Sequence, residues 1–198
     1  MTIDEAKKVL VEADLLVDQA GVEAAIDRLS QEIADRLRES NPVVICVMNG
    51  GLILTGQLLT RLVFPLQLEY LHATRYGHGT SGSGLDWHVR PQQSLEGRTV
   101  LLLDDILDEG VTLAAIADYC RQQGAAEVLM AVLVEKLHLR KVTPGLRADF
   151  FGLEVGAGQS PDVVQLFRAA GGYYDAVKVL DGAGIERVVG ARLRSCKS

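Results

Sequence analysis

Three continuous apolar runs of strand length constrain the fold of this chain more than any other feature. They are Val43–Met48 (VVICVM), Val100–Leu103 (VLLL) and Val128–Val134 (VLMAVLV). A strand with one wet face alternates apolar and polar residues, whereas a strand buried on both faces reads as an unbroken apolar run. Such runs are typical of a parallel sheet whose two faces are covered by helices. The sequence therefore predicts an α/β fold.

Helical patterns separate the apolar runs. Val22–Arg38 carries apolar residues at the 3–4 spacing of an amphipathic helix, and Asn41-Pro42 ends it. A second helix is predicted over LILTGQLLTRL, and a third begins near Leu113 and is ended by Gly124. Strands and helices that alternate in this way predict a twisted parallel sheet with helices on both faces.

The remaining segments complete this sheet. Leu66–Ala73 alternates as a strand, Ala148–Val155 is a further predicted strand, and Arg75–Gln93 is a long polar stretch. Ligands of such sheets bind beyond the carboxyl ends of the strands. Three segments are predicted to meet there: Asn49-Gly50-Gly51, the Asp104–Thr112 turn, and the start of Lys136–Arg140.

The Asp104–Thr112 turn is unusually acidic. Asp104, Asp105, Asp108 and Glu109 follow the VLLL run almost directly. Acidic residues favour a helix N-terminus by roughly 0.3–1 kcal/mol each, and Asp108 is a plausible cap for the next helix. This explanation does not cover Asp104 and Asp105, which adjoin a buried strand and repel each other.

A ligand explains the acidic pair better. Gly110 permits close approach of the backbone, Thr112 offers a hydroxyl, and the N–H groups at the helix start suit a phosphate monoester. Asp104 and Asp105 would then face a hydroxyl-rich group or Mg²⁺ beside that phosphate. A ribose 5-phosphate combines both features. The chain has no GxxxxGK[ST] motif, so this is not a Walker loop.

The stretch VLLLDDILDEGVTL resembles the phosphoribosyl-pyrophosphate signature of type I phosphoribosyltransferases. Four apolar residues, two acids, two apolar residues and Asp-x-Gly-x-Thr all hold the family's spacing. Other segments are similar to the purine-salvage branch, the hypoxanthine-guanine phosphoribosyltransferases. VMNGG resembles its pyrophosphate loop, ATRYG its mobile catalytic loop, and LVEK the strand whose lysine contacts the purine oxygen. The resemblance covers roughly Val9 to Val155.

The resemblance implies a function and a set of residue roles. The activity is transfer of the phosphoribosyl group from phosphoribosyl pyrophosphate to hypoxanthine or guanine, which gives IMP or GMP and pyrophosphate. Asp104 and Asp105 would hold the ribose hydroxyls and Mg²⁺, and Asp108 would act as the base near purine N7. The remaining implied site residues are Arg75 and Tyr76 in the catalytic loop, Asn49, Gly50 and Gly51 at the pyrophosphate, Glu109, Gly110, Val111 and Thr112 around the 5-phosphate, and Lys136 at the purine.

The resemblance also implies how the chain is organised. Residues 1–198 would form a single phosphoribosyltransferase domain, with a small hood subdomain built from N-terminal residues and the 156–198 tail. After Val155 the sequence departs from the family, since the purine-stacking aromatic and an Arg-Asn pair are missing from their expected places. Possible substitutes in the tail are Tyr173, Tyr174, Asp175, Asp181 and Arg187. Family members are usually dimers or tetramers, so a homo-oligomer is expected.

Composition narrows the class of partner. The 198-residue chain has a net charge of −6, which gives no broad basic surface for nucleic acid. No apolar run approaches the roughly 20 residues of a membrane span, and the acidic N-terminus is unlike a secretory signal. Three cysteines without metal-binding spacing favour reduced thiols and a cytoplasmic protein.

Two alternatives to this function stay open at the level of sequence. One is a phosphoribosyltransferase that prefers xanthine, because the departure after Val155 leaves the choice of base undefined. The other is a nucleotide-sensing regulator that keeps the phosphate turn with reduced turnover. The absent purine motif favours the regulator, whereas Asp108 and the RYG sequence favour the enzyme.

Overall fold

The computed structural model describes residues 2–4, 17–75, 85–137, 141, 145–156, 178–180 and 186–188. The main helices are α1 (Gln19–Leu37), α2 (Leu52–Leu59) and α3 (Val111–Gln122). The strands are β1 (Val43–Val47), β2 (Gln67–Arg75), β3 (Leu85–Val89), β4 (Thr99–Leu107), β5 (Glu127–Leu137), β6 (Phe150–Gly156), β7 (Lys178–Leu180) and β8 (Glu186–Val188). The chain divides into two compact units, Ile26–Ala157 on the one hand and Met1–Ala25 with Gly158–Ser198 on the other.

The larger unit contains a six-stranded sheet in the order β3-β2-β1-β4-β5-β6. All pairings except one are parallel, which confirms the predicted α/β fold. The exception is β3, which runs antiparallel to β2 inside the stretch predicted as polar. Its half-buried residues Leu85, Trp87 and Val89 alternate with exposed ones, as expected of an edge strand.

The apolar runs form the core of this unit. All five residues of β1 are buried, as are the first residues of β4 after Thr99. Helix α3 contributes Leu113, Ile116 and Cys120 to the same buried cluster as Val43 and Val132. The residues that alternate with these along the strands, such as Val44 and Leu101, are equally buried. Both faces of the central strands are therefore covered, which explains why their sequences do not alternate.

Strands β4 and β5 continue beyond their apolar runs. Asp104 pairs with Val132, and Leu107 pairs with Glu135, so the parallel ladder extends to the end of β4. The prediction that Asp104 and Asp105 lie in a turn beyond the strand is therefore wrong. The placement of Lys136 after its strand is wrong for the same reason, since Lys136 pairs with Val155 of β6. The hydrogen-bonded strand pairing extends past the apolar residues from which the strand ends were predicted.

The smaller unit contains an antiparallel pair, in which Lys178 of β7 lies opposite Val188 of β8. Four of the possible purine contacts in the tail, Tyr173, Tyr174, Asp175 and Asp181, lie outside the described residues, and Arg187 lies in β8. The predicted single domain with a hood stays a prediction. In the described part of the chain, no helix is long and apolar enough to cross a membrane.

Candidate active site

The junction between β4 and α3 is built around Gly110. This residue precedes the first turn of α3 with φ 78°, a left-handed conformation that favours glycine. A Cβ at this position would collide with the side chains of Leu146 and Leu107. The prediction that Asp108 caps the helix is wrong, because Gly110 is the cap and makes no side-chain capping bond.

The first turn of α3 is open to an anion. The helix ladder begins with the bond from the Ala114 N–H to the Gly110 carbonyl, at 2.9 Å. The N–H groups of Val111, Thr112 and Leu113 precede that bond, so none of them has an acceptor within the helix. Together with the positive end of the helix dipole they form an arrangement suited to a phosphate. The segment Asp108–Thr112, here called the phosphate turn, is half-buried throughout.

Asp108 contacts Lys136 across the strand ends. Lys136 Nζ donates a hydrogen bond to Asp108 Oδ2 at 3.0 Å, with the two side chains 18% and 40% exposed respectively. The structure thus brings together two predicted site residues that lie 28 positions apart in the sequence. A ligand oxygen that binds the ammonium group of Lys136 would compete with the Asp108 carboxylate for it.

The turn after β1 lies against the acidic end of β4. A Cβ on Gly50 would approach Asp105 Oδ1 to 2.6 Å and Asp104 Oδ1 to 2.9 Å. A Cβ on Gly51 would overlap the carbonyl oxygen of Leu103. Asn49 begins this turn, and its peptide bond with Met48 is cis. The turn after β1 and the acidic end of β4, two of the predicted ligand-binding segments, are therefore in close contact, which Gly50 and Gly51 permit because they have no side chains.

The acid pair offers the oxygen ligands that Mg²⁺ prefers. The Asp105 N–H donates to Asp104 Oδ1 at 2.9 Å, which orients the Asp104 carboxylate against the backbone of its neighbour. Among the described residues, no group of three His, Cys, Asp or Glu side chains is arranged to hold a metal ion. A magnesium ion at this place would thus depend on the two carboxylates together with water and substrate oxygens, which is its usual mode of binding.

The acid pair affects the ionisation of a thiol on β1. Burial raises the pKa of the Cys46 thiol, and the nearby Asp104 carboxylate raises it further. Cys46 is therefore a protonated, buried side chain at neutral pH, with its Sγ 3.8 Å from Met48 Sδ. It is part of the packing beneath the acid pair and is not suited to act as a nucleophile.

A charged cluster at the end of β5 was not predicted. Glu135 is fully buried, and Arg147 Nε lies 2.8 Å from its Oε1 while Lys141 Nζ lies 3.6 Å from the same atom. Arg147 also pairs with Glu154 at 2.7 Å. The only signal in the sequence is an acid placed directly after the run VLMAVLV, where an apolar residue would be ordinary.

Two implied residues are incompletely described. The backbone of Arg75 ends β2, and Tyr76 lies outside the described residues, as does most of the predicted catalytic loop. Their roles stay predictions. Of the remaining implied residues, the structure places Asn49, Gly50, Gly51, Asp104 and Asp105 at one meeting point, and the phosphate turn with Lys136 at the adjoining one.

Comparison with known proteins assigns this arrangement to a family. Residues 12–149 match the model of the phosphoribosyl transferase domain. The hypoxanthine-guanine phosphoribosyltransferase of Aquifex aeolicus is 32% identical over 143 residues, which cover 71% of this chain and 79% of the relative. The enzyme of the same name from Bacillus subtilis is 27% identical over 142 residues, covering 71% and 78%.

A solved structure shows the same fold. The chain matches a hypoxanthine phosphoribosyltransferase from Staphylococcus aureus with a TM-score of 0.66 and 19% identity, over 72% of this chain and 77% of the other. At this identity the likeness concerns the arrangement of strands and helices. It agrees with the mostly parallel sheet of the larger unit.

Proposed function

The chain belongs to the phosphoribosyl transferase family, and we propose that it transfers the phosphoribosyl group of phosphoribosyl pyrophosphate to hypoxanthine or guanine. The observation that carries this proposal is the meeting of Gly50 with Asp104 and Asp105 beside the open first turn of α3. One ligand with a phosphate, vicinal hydroxyls and a pyrophosphate fits all three features. The products would be IMP or GMP and pyrophosphate.

The phosphate turn would bind the 5-phosphate of the substrate. Its N–H donors lie at the start of α3, and the left-handed conformation of Gly110 leads the chain from β4 into that first turn. Thr112 adds a hydroxyl donor in the first turn of the same helix. These groups would hold the ribose while the bond to the leaving pyrophosphate breaks, which contributes through positioning.

Asp104 and Asp105 would hold the ribose hydroxyls together with Mg²⁺. When bound, the ion would neutralise charge on the leaving pyrophosphate. Gly50 and Gly51 would let the turn after β1 lie directly against the end of β4 and present its backbone to the pyrophosphate next to the acid pair, since a Cβ at either glycine would overlap Asp105 or Leu103. Asn49 at the start of this turn would offer its amide to the same group.

Asp108 and Lys136 would act on the purine. The contact between them places a carboxylate and an ammonium group 3.0 Å apart at the strand ends. Lys136 would donate to the purine oxygen, and Asp108 would then accept or hold the proton at N7. Arg75 and Tyr76 would belong to the loop that excludes water during transfer.

The test is nucleotide formation from phosphoribosyl pyrophosphate, Mg²⁺ and each of hypoxanthine, guanine and xanthine, measured by chromatography. We expect IMP and GMP, with a high KM for the purine because the tail lacks the family's stacking aromatic. A stack contributes on the order of 0.5–1.5 kcal/mol beyond buried area. Xanthosine monophosphate as the main product would instead support the xanthine-preferring alternative, and binding without any nucleotide would support the regulator.

Compartment and assembly belong to the same proposal. Cys46 and Cys120 are buried free thiols, a state that the reducing cytoplasm maintains, and we propose that compartment. A homo-oligomer, dimeric or tetrameric, is expected from the family, and sedimentation of the full chain would test it.

A further inference from the structure

We propose that Lys141 is a positioning residue for the phosphate turn, which it holds through the carbonyl of Leu107 while the buried Glu135 holds Lys141. Lys141 Nζ donates a hydrogen bond to the Leu107 carbonyl oxygen at 3.2 Å. Leu107 is the last residue of β4 and directly precedes Asp108. This inference rests on the proposed function, because the turn it concerns is the one assigned to the 5-phosphate.

The burial of Glu135 explains why Lys141 occupies this place. A fully buried carboxylate costs several kcal/mol unless it is paired. Compensation comes from the two nearby cations, Arg147 and Lys141, whose nitrogens lie 2.8 and 3.6 Å from Glu135 Oε1. Both cations lie after β5 in the chain. The carboxylate is therefore compensated only when that part of the chain lies against the sheet.

The two cations differ in what else they contact. Arg147 is 46% exposed, lies over the ring of Phe151 at 5.2 Å and pairs with Glu154, which is opposite Glu135 in the sheet. Lys141 is 6% exposed and is directed to the end of β4. Burial lowers the pKa of Lys141, while Glu135 and, more weakly, Asp108 act in the opposite direction. Lys141 is thus close enough to the phosphate turn to interact electrostatically with Asp108.

A second contact joins the same part of the chain to the turn. Leu146 packs so closely over Gly110 that a Cβ there would overlap its side chain. Leu107 and Gly110 flank Asp108 and Glu109, so the turn is held at its start by Lys141 and near its middle by Leu146. The amide groups that would bind the phosphate are thereby fixed before the ligand arrives, which lowers the cost of binding.

A merely structural role is the rival explanation, in which Lys141 only neutralises Glu135. The variant Lys141→Met removes both functions and leaves Glu135 with one cation, so its stability alone does not decide. The double variant Glu135→Gln/Lys141→Met removes the buried charge together with its partner, and such neutral replacements of buried pairs are often tolerated. It separates the two explanations, because the Leu107 carbonyl still lacks its donor.

The experiment is calorimetric titration of the full chain with phosphoribosyl pyrophosphate in MgCl₂, together with thermal unfolding of each variant. We expect the double variant to unfold near the wild-type temperature and yet to bind about 10-fold more weakly, as the loss of a charged hydrogen bond implies. Wild-type affinity in the double variant would overturn the proposal.

Arg147→Met is the matched control. This variant also removes a cation from Glu135, but Arg147 has no hydrogen bond to the Leu107 carbonyl to lose. We therefore expect lower stability and an affinity changed less than about 3-fold. A loss of affinity equal to that of Lys141→Met would contradict the route through Leu107. Binding is measured without turnover. A wild-type chain that binds phosphoribosyl pyrophosphate but forms no nucleotide would therefore contradict the proposed activity and still allow the variants to be compared.

Discussion

Two neighbouring strands of the sheet, β4 and β5, carry acidic residues near their carboxyl ends, and the surroundings of these acids differ between the two strands. At the end of β4, Asp104 and Asp105 face the glycine turn after β1, and Asp108 is 40% exposed beside Lys136. At the end of β5, Glu135 is fully buried between Lys141 and Arg147. At the end of β4 one carboxylate is partly exposed, whereas at the end of β5 two cations of the chain cover the carboxylate.

The difference lies in what faces each carboxylate. Asp104 and Asp105 lie against the glycine backbone of the turn after β1, whereas Glu135 faces two long basic side chains. An acid after an apolar run is therefore not by itself a sign of a binding site. It becomes one where the opposing segment is small and where helix amides lie beside it, as at Gly50 and Gly110.

The largest effect is expected at Asp108, on the open side of this comparison. Asp108→Asn should lower kcat by roughly 10–10⁴-fold with a nearly unchanged KM for phosphoribosyl pyrophosphate, because the amide does not accept the purine proton. Asp118→Asn is the control, since Asp118 is also an ion-paired aspartate, 2.7 Å from Arg121 on the exposed side of α3. A normal kcat in Asp108→Asn would remove Asp108 from the chemical step.

Gly110→Val should have the next largest effect. It should weaken binding of IMP and GMP alike by about 10-fold or more, because the side chain overlaps Leu146 and displaces the turn whose N–H groups would bind the phosphate. Gly145→Val is a matched control, because Gly145 has φ 79° and nothing within 4 Å of an added Cβ. Both variants carry similar backbone strain, but only Gly110→Val overlaps a neighbouring side chain. We therefore expect only Gly110→Val to lose nucleotide affinity. A loss confined to one of the two nucleotides would contradict a shared phosphate site.

The smallest effect concerns the core at the other end of α3, away from the acidic strand ends. Burial raises the pKa of the Cys120 thiol from 9.0 to about 11, although Arg121 lowers it slightly. Between these values the unfolded chain loses the proton and the folded chain keeps it, so stability falls as the pH rises through this window.

The alkaline loss is measured against a variant that lacks the thiol. From about pH 7 to about pH 10 the wild type should lose on the order of 1 kcal/mol more unfolding free energy than Cys120→Ala. Denaturant titrations at the two pH values give this difference. Equal losses in the two proteins would mean that the thiol ionises as readily in the folded chain as in the unfolded one.

Local sequence was sufficient to predict the central strands. The runs VVICVM and VLMAVLV predicted central strands because both faces are covered, whereas the left-handed conformation of Gly110 and its place as the helix cap were not predicted. The edge strand β3 was missed because its alternation of Leu85, Trp87 and Val89 is short and follows a polar stretch. The resemblance, and not periodicity, assigned roles to Lys136 and Asp108.

Contacts between distant parts of the chain set the limit of prediction. The pairing of Asp108 with Lys136 depends on β4 and β5 being neighbours in register. The pairing of Glu135 with Lys141 and Arg147 depends on how the chain returns after β5, which no local pattern encodes. For the same reason the helix cap was assigned to Asp108, whose carboxylate is instead held by a lysine of the next strand.

The most direct test of the account compares one carboxylate from each side. Asp105→Asn and Glu154→Gln both replace a carboxylate by an amide of the same shape, the first at the end of β4 and the second in the pair with Arg147. Calorimetry with phosphoribosyl pyrophosphate in MgCl₂ should show affinity about 10-fold weaker or more for Asp105→Asn and within about 2-fold of wild type for Glu154→Gln. Wild-type affinity in Asp105→Asn would contradict the claim that the acidic end of β4 binds the substrate.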